Sequence, residues 1–163
     1  MRTLIKAPSE CSSRERAEFV KLVNSGGEVV PGLSDRVLKI GYKLIFQYSA
    51  DDQLIAVAAL KRPNLAYRSR VFRKAGSEEK PDDYPLEFGW MVVAREAQGR
   101  GLSRVLGEAA IGGASGKSIY ATTHESNNRM RRTNVHLGFR ISGKPFPDND
   151  GSGTLLLFIR PSP

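Results

Sequence analysis

A glycine-rich turn between an apolar strand and an amphipathic helix is the stretch of this sequence best suited to chemistry. It covers residues 98–103 and reads Gln-Gly-Arg-Gly-Leu-Ser. Glycines let the backbone approach a ligand closely, and the first N–H groups of the following helix have no acceptor within that helix. Such a helix start favours an anion, above all a phosphate. The turn therefore predicts a phosphate site, with a purely structural use of glycine at positive φ as the alternative.

The common nucleotide-binding motifs do not explain this turn. The dinucleotide fingerprint needs a third glycine where the chain has Arg104. Residues 116–118, Gly-Lys-Ser, resemble the end of a P-loop, but that motif needs a glycine where the chain has Ile111, and it must open a helix instead of a strand. The two histidines, His124 and His136, have neither the HExxH spacing nor cysteine partners, so no metal site is predicted.

The composition is that of an ordinary globular protein with an excess of positive charge. The 163 residues are 40% hydrophobic and 26% charged, and the net charge is +8. This length predicts a single domain over residues 1–163, and the lack of a long apolar run or signal peptide predicts a cytoplasmic protein with no membrane partner. Cys11 is the only cysteine, which fits a reducing compartment. The charge favours an anionic cofactor, an acidic substrate or nucleic acid.

Local patterns along the chain predict alternating strands and helices. Ser12 and Glu15 form a capping box before an amphipathic helix that ends at Gly26-Gly27, and Ser34 is expected to cap a short helix through Ile40. The other predicted elements are strands over residues 3–6, 43–49, 54–60, 86–93, 117–123, 139–142 and 154–159, and helices over residues 102–112 and 127–137. This order predicts an α/β fold with a mixed sheet and helices on both faces.

The segment from Lys61 to Tyr84 differs from the rest of the chain in composition. Basic residues alternate with Tyr67 and Phe72 in its first part, and four acidic residues follow. We expect a long connection over the surface, either a solvated loop or a nucleic-acid patch. The solvated loop is the commoner use of a run of charges.

The turn with its flanks resembles the acyl-CoA-binding signature of the GNAT superfamily of N-acetyltransferases. That signature is Gln or Arg, two residues, Gly, one residue, then Gly or Ala, and Gln98, Gly101 and Ser103 stand at its defined positions, with serine as a departure. A second family feature is an Asn eleven residues before Gly-Phe, as at Asn127 and Gly138-Phe139. The resemblance implies a single-domain GNAT-like fold, with a mixed, mostly antiparallel twisted sheet of about six to seven strands, helices on both faces and a splayed central strand pair.

The resemblance also implies acetyl-CoA as co-substrate. The end of the strand at Val93 would pair with the pantetheine arm, and the turn would hold the pyrophosphate. The implied cofactor-binding residues are Met91, Val92, Val93, Gln98, Gly99, Arg100, Gly101, Leu102, Ser103, Asn127 and Arg131. Asn127 has a helix cap as its alternative role.

Acetyl transfer to an amine needs a neutral amine, a polarised carbonyl and a stabilised thiolate. Glu87 stands where the histone-acetyltransferase branch of the family carries its glutamate, so it is the first candidate base; the alternative is a strand-edge glutamate facing solvent or an arginine. His124, after a predicted strand, is the second catalytic candidate, with a structural or solvated histidine as the alternative. The backbone N–H of Val93 or a neighbour would polarise the carbonyl. Asn134 occupies the position of the usual acid, a tyrosine.

Three functions follow from these features. The first is an N-acetyltransferase, monomer or homodimer, that moves acetyl from acetyl-CoA directly to a primary amine of a small molecule or protein. The second is a nucleic-acid-directed acetyltransferase, for instance on aminoacyl-tRNA, motivated by the charge and the basic segment. The third is a non-catalytic acyl-CoA-binding regulator, motivated by the missing tyrosine. Trp90 and Tyr120 are assigned to the core or to the lining of a cleft.

Overall fold

A computed structural model describes residues 1–27 and 30–163 of the chain. Within them the strands are β1 (Arg2–Lys6), β2 (Gly41–Tyr48), β3 (Leu54–Lys61), β4 (Leu86–Val93), β5 (Ile119–His124), β6 (Arg140–Ile141), β7 (Phe146–Pro147) and β8 (Thr154–Arg160). The α-helices are α1 (Ser13–Asn24), α2 (Leu33–Ile40), α3 (Leu65–Ala75), α4 (Leu102–Gly113) and α5 (Asn128–His136). None of the helices in this part of the chain is long and apolar enough to cross a membrane.

The chain divides into two compact units, and β4 contributes to both of them. The first unit is Met1–Lys61 with Phe88–Gly113, and the second is Arg62–Glu87 with Ala114–Pro163. The mixed, mostly antiparallel pairing of the strands confirms the predicted fold class. The prediction of a single domain over residues 1–163 stays a prediction.

The first unit has the strand order β1-β2-β3-β4, with antiparallel pairing of β1 to β2 and of β2 to β3. Its helices cover opposite faces. Phe19 of α1 and Val37 of α2 belong to the core that includes Phe46 of β2. On the other face, α4 comes close enough that a Cβ on Gly113 would lie 3.4 Å from Ile5 Cγ2. Helices on both faces are therefore confirmed within this unit.

The start of α1 follows the predicted capping box. The Ser12 hydroxyl oxygen accepts from the Glu15 N–H at 3.0 Å, and the Glu15 carboxylate accepts from the Ser12 N–H at 2.8 Å. The predicted cap of α2 is wrong, because the helix begins at Leu33 and Gly32 is its N-cap at a φ of 66°. Glycine adopts this left-handed conformation at little cost, so the turn enters the helix without a side-chain cap.

The second unit is organised by β5 and β8, which pair antiparallel along the whole of β5. The first residues of β4 pair with β5 in parallel, with Leu86 opposite Ile119 and Glu87 opposite Tyr120. Strands β6 and β7 both pair with β8. The short strand β7 lies between the two last predicted strands, where no element was predicted, and its Phe146 is buried.

The expectation of a surface connection between Lys61 and Tyr84 is wrong, because residues 65–75 form helix α3. Asn64 caps the helix by accepting from the Tyr67 N–H at 2.8 Å, and Gly76 ends it at a φ of 62°. The buried side of the helix is apolar and carries Val71, Phe72 and Ala75. The ring of Phe72 lies 5.3 Å from that of Tyr120 and 5.6 Å from that of Tyr84.

Removal of the Phe72 side chain should destabilise the protein strongly. Large-to-small changes of this kind in a core typically cost about 3–5 kcal/mol, because the cavity that remains collapses only partly. Phe72→Ala is therefore expected to lower the free energy of unfolding by about this amount in chemical denaturation, whereas Leu65→Ala, at a position 46% exposed on the same helix, should change it by less than about 1 kcal/mol. Equal effects of the two changes would contradict the packing of α3.

Candidate active site

The turn between β4 and α4 is held in left-handed conformations by two glycines. Gly99 has a φ of 79° and Gly101 a φ of 76°. The carbonyl of Gly101 accepts from the N–H groups of Arg104 and Val105 at 3.1 and 3.3 Å, which starts the helix. Because only glycine adopts these φ values readily, the two residues set the path by which the chain leaves β4.

The consecutive N–H groups of residues 99–103 have no acceptor among the described residues. Successive free N–H groups at a helix start form a concave surface with partial positive charge that suits an anion. The guanidinium of Arg100 donates to the carbonyl of Glu96 at 3.1 Å and adds positive charge, whereas that of Arg104 is paired with Glu108 at 2.9 Å. The turn therefore has the electrostatics of a phosphate site.

The side chain of Gln98 fixes the turn to the end of β4. Its Nε2 donates to the carbonyl of Val93 at 3.2 Å. One residue on, the N–H of Ala94 donates to the carbonyl of Ile55 in β3 at 2.8 Å. The first bond ties the turn to the end of β4, and the second ties the end of β4 to β3.

Strand β4 is irregular at Trp90, which has a φ of 48°. A non-glycine residue in the left-handed region is strained and interrupts the alternation of a strand. The Trp90 ring lies 6.4 Å from that of Phe19 and 4.8 Å from the ammonium of Lys61. A Cβ on Gly89 would approach that ammonium to 2.9 Å, so a larger residue there would displace the end of the Lys61 side chain. The regular geometry of the strand is therefore interrupted at Trp90, just before Met91–Val93, which are half-buried.

Glu87 is only 4% exposed and lies in register with Tyr120 on β5. The alternative of a glutamate that faces solvent is therefore wrong, and that of a structural glutamate that faces an arginine stays open. Burial raises the pKa of Tyr120 well above its usual range, and the negative charge of Glu87 raises it further. The Glu87 carboxylate is close enough to affect the Tyr120 hydroxyl. Within the described residues, however, that hydroxyl has no hydrogen bond of good geometry. A buried carboxylate near a phenol whose pKa is raised marks this part of the second unit as a candidate functional site.

The sequence did not predict that Tyr120 lies beside Glu87. Tyr120 was assigned to the core or a cleft lining, and it is fully buried. Tyr120 lies close to Glu87 because β4 and β5 pair in parallel with these two residues in register. The sequence does not give this register.

His124 lies at the end of β5 and is half-buried. Its Nε2 is 3.5 Å from Oδ2 of Asp148. Both residues line a cavity of about 250 Å³ between α3, β5 and the segment around β7. The structure therefore assigns His124 an acidic neighbour and a cavity, and its catalytic role stays a prediction.

The residues of α5 that were considered for cofactor binding have structural contacts. The Asn127 side chain caps the helix by accepting from the Met130 N–H at 3.1 Å, and Arg131 donates to the carbonyl of Glu125 at 3.1 Å. Asn134 is fully buried and donates to the Thr123 hydroxyl at 3.0 Å. It therefore packs inside the second unit. No group of three or more His, Cys, Asp or Glu residues able to hold a metal is found in residues 1–27 and 30–163.

Comparison of the whole chain with known proteins identifies its fold. No sequence-family profile matches it, and no curated protein matches it in sequence. Solved structures match over nearly the full length. An acyl-CoA N-acyltransferase from Pseudomonas aeruginosa has a TM-score of 0.72 at 15% identity, with 98% of each chain covered. The chain has the GNAT fold.

Two GNAT-family acetyltransferases give the same result. The one from Streptococcus agalactiae has a TM-score of 0.72 at 17% identity, with 99% of this chain and 96% of that chain covered. The one from Listeria monocytogenes has a TM-score of 0.68 at 16% identity, with 98% and 94% covered. The GNAT resemblance predicted from the turn and from Asn127 is therefore confirmed in the fold.

Proposed function

We propose that this chain is an acyl-CoA-dependent N-acyltransferase that moves an acetyl group from acetyl-CoA directly to a primary amine of a small molecule or protein. The observation that carries the proposal is the run of N–H groups at residues 99–103, which have no acceptor within the described chain and stand at the start of α4. The GNAT fold supports it.

The turn fits the pyrophosphate of acetyl-CoA in shape and charge. A Cβ at Gly99 or Gly101 would meet nothing within 4 Å, so the backbone there is open to a ligand. Residues 99–103 would hold the pyrophosphate through their N–H groups, with the Gln98 side chain supporting the turn and the charge of Arg100 nearby. The backbone of Met91–Val93 would pair with the pantetheine arm. The assignment of Asn127 and Arg131 to cofactor binding stays a prediction. When bound, acetyl-CoA supplies the acetyl group as a thioester.

Glu87 is proposed as the base that takes a proton from the acceptor ammonium, directly or through a water. Its burial keeps bulk water away, and the protonated phenol of Tyr120 stays beside it. The N–H of Val93 is the proposed donor to the acyl carbonyl oxygen, because hydrogen bonds aimed at developing charge lower a barrier most. His124 is kept as the second catalytic candidate.

The departing thiolate receives no proton from Asn134 in this proposal. Asn134 has no ionisable proton, and its amide nitrogen is bonded to Thr123 inside the second unit. A thiol with an ordinary pKa of about 8.5 is protonated by solvent near neutral pH without help from an enzyme acid. The missing tyrosine therefore does not exclude catalysis.

The basic residues between Lys61 and Lys74 lend little support to a nucleic-acid substrate. Arg68 donates to the carbonyls of Pro63, Pro81 and Tyr84, the shortest bond being 2.7 Å to Pro81. Lys74 donates to the side chain of Asn149. Part of the positive charge thus holds α3 in place, so we favour a small-molecule or protein amine as the acceptor.

A side chain at Gly101 should weaken acetyl-CoA binding. Gly101→Ala forces an L-residue into the left-handed region at a cost of about 1–2 kcal/mol, so the turn shifts and the N–H groups lose their alignment. We expect the dissociation constant of acetyl-CoA, measured by calorimetry, to rise about tenfold. Gly116→Ala is the matched control, because Gly116 has a φ of 81° and equally open surroundings. Unchanged affinity in Gly101→Ala, or equal losses in both variants, would count against the turn as the cofactor site.

Removal of the Glu87 charge should slow turnover without weakening acetyl-CoA binding. General-base catalysis typically contributes about 10²–10⁴-fold, so Glu87→Gln is expected to lower kcat by about 100-fold on an acceptor found in an amine screen. Glu78→Gln, at an exposed position of the same unit, is the control and should leave kcat unchanged. Full activity of Glu87→Gln would refute the base assignment. Acetyl-CoA binding without acetylation of any amine would favour the regulator.

A further inference from the structure

The second unit contains a cavity of about 250 Å³ lined by α3, β5, the segment around β7 and Leu155 of β8. Helix α3 contributes Tyr67, Arg70 and Lys74, strand β5 contributes His124, and the segment around β7 contributes Phe146 and Asp148. The volume lies below the range of about 300–1,000 Å³ typical of pockets for drug-sized ligands. A small molecule is therefore its natural occupant.

The side chains that line this cavity carry an excess of positive charge. Arg70 lies with its guanidinium 5.7 Å from the Tyr67 ring and has no carboxylate partner within the described residues. Lys74 donates to the neutral amide of Asn149, so its charge is not neutralised. Two cations thus line one wall, and both lie on α3.

The acidic group in the lining is already engaged. Asp148 Oδ2 lies 3.5 Å from His124 Nε2 and accepts from the Ser152 hydroxyl at 3.3 Å. Its Oδ1 accepts from the N–H of Asn149 at 2.7 Å. A ligand entering the cavity therefore meets cationic groups on α3 that remain able to bind an anion.

The cavity lies on the face of β5 that carries Tyr120. Side chains alternate along a strand, so Tyr120, Thr122 and His124 share one face, and Thr122 and His124 line the cavity. They lie about 7 and 13 Å along the strand from Tyr120, which is in register with Glu87. An extended carbon chain of roughly six to ten bonds would therefore span the distance from an amine beside Glu87 to the cavity.

We propose that Arg70 and Lys74 recognise a carboxylate on a small amine acceptor, so that the preferred substrate is an amino acid or a similar amine with a carboxylate at its other end. This proposal rests on the proposed function in one respect, namely that the bound amine is acetylated. The carboxylate binds at the α3 wall, the amine points toward Glu87, and the rings of Tyr67 and Phe146 contact the carbon chain between them.

Binding of matched amine pairs to the full chain, without acyl-CoA, tests this assignment. Suitable pairs are 4-aminobutanoate with butylamine and 6-aminohexanoate with hexylamine, measured by calorimetry. We expect the carboxylate member of at least one pair to bind tenfold or more tightly than its partner. Arg70→Gln should remove this preference, and Lys74→Gln should reduce it. Arg73→Gln is the matched control, because Arg73 is exposed on the same helix outside the cavity lining, and it should keep the preference.

Equal binding of both members of every pair would overturn the proposal, as would equal losses from Arg70→Gln and Arg73→Gln. Acetylation of the same amines separates this proposal from the proposed function. A carboxylate preference in binding without acetylation would refute the proposed function and leave the carboxylate site standing. If plain amines and carboxylate amines bind equally and are acetylated with the same kcat/KM, the carboxylate site is refuted and the proposed function stands.

Discussion

The backbone of residues 99–103 leaves its N–H groups without an acceptor in the described chain, and solvent or a ligand must satisfy them. This constraint shapes the first unit. Gly99 and Gly101 take left-handed conformations so that the chain can turn with these groups facing outward, and the Gln98 side chain ties the turn to Val93. A helix start supported in this way offers an anion aligned dipoles that need no rearrangement on binding.

Strand β4 connects this anion site to the proposed proton chemistry along one stretch of backbone. Glu87 stands at its beginning, the strained Trp90 lies in its middle, and the turn follows its end. The buried start of the strand fixes Glu87 against β5, where it meets a phenol that stays protonated. The same strand therefore carries the candidate base at its start and leads into the glycine turn after its end.

Features encoded by local chemistry were predictable from the sequence. The capping box at Ser12, the strands β2 and β3 and the glycine turn all depend on residues close together in the chain, so the pattern and the structure agree. The glycine turn also has a spacing specific enough to indicate a family. These local signals were sufficient to predict the fold class and the candidate anion site.

Features that depend on distant contacts were missed. Helix α3 was mistaken for a loop because its many basic residues outweigh a short apolar stripe, which is stabilised by packing of Phe72 on Tyr120 and Tyr84. The left-handed Trp90 carries no local signal, since tryptophan does not favour that conformation. Asn134 fills an interior position where its bond to Thr123, a contact across the fold, decides its role.

Amide resonances of the ¹⁵N-labelled protein test the central claim most directly. Titration with acetyl-CoA should shift the resonances of Gly99, Gly101 and Ser103, because the pyrophosphate accepts from their N–H groups. Acetylpantetheine, which lacks the pyrophosphate, should leave them in place, and Gly116 should not respond to either compound. Binding of acetyl-CoA without movement of these resonances, or equal shifts with acetylpantetheine, would contradict the account.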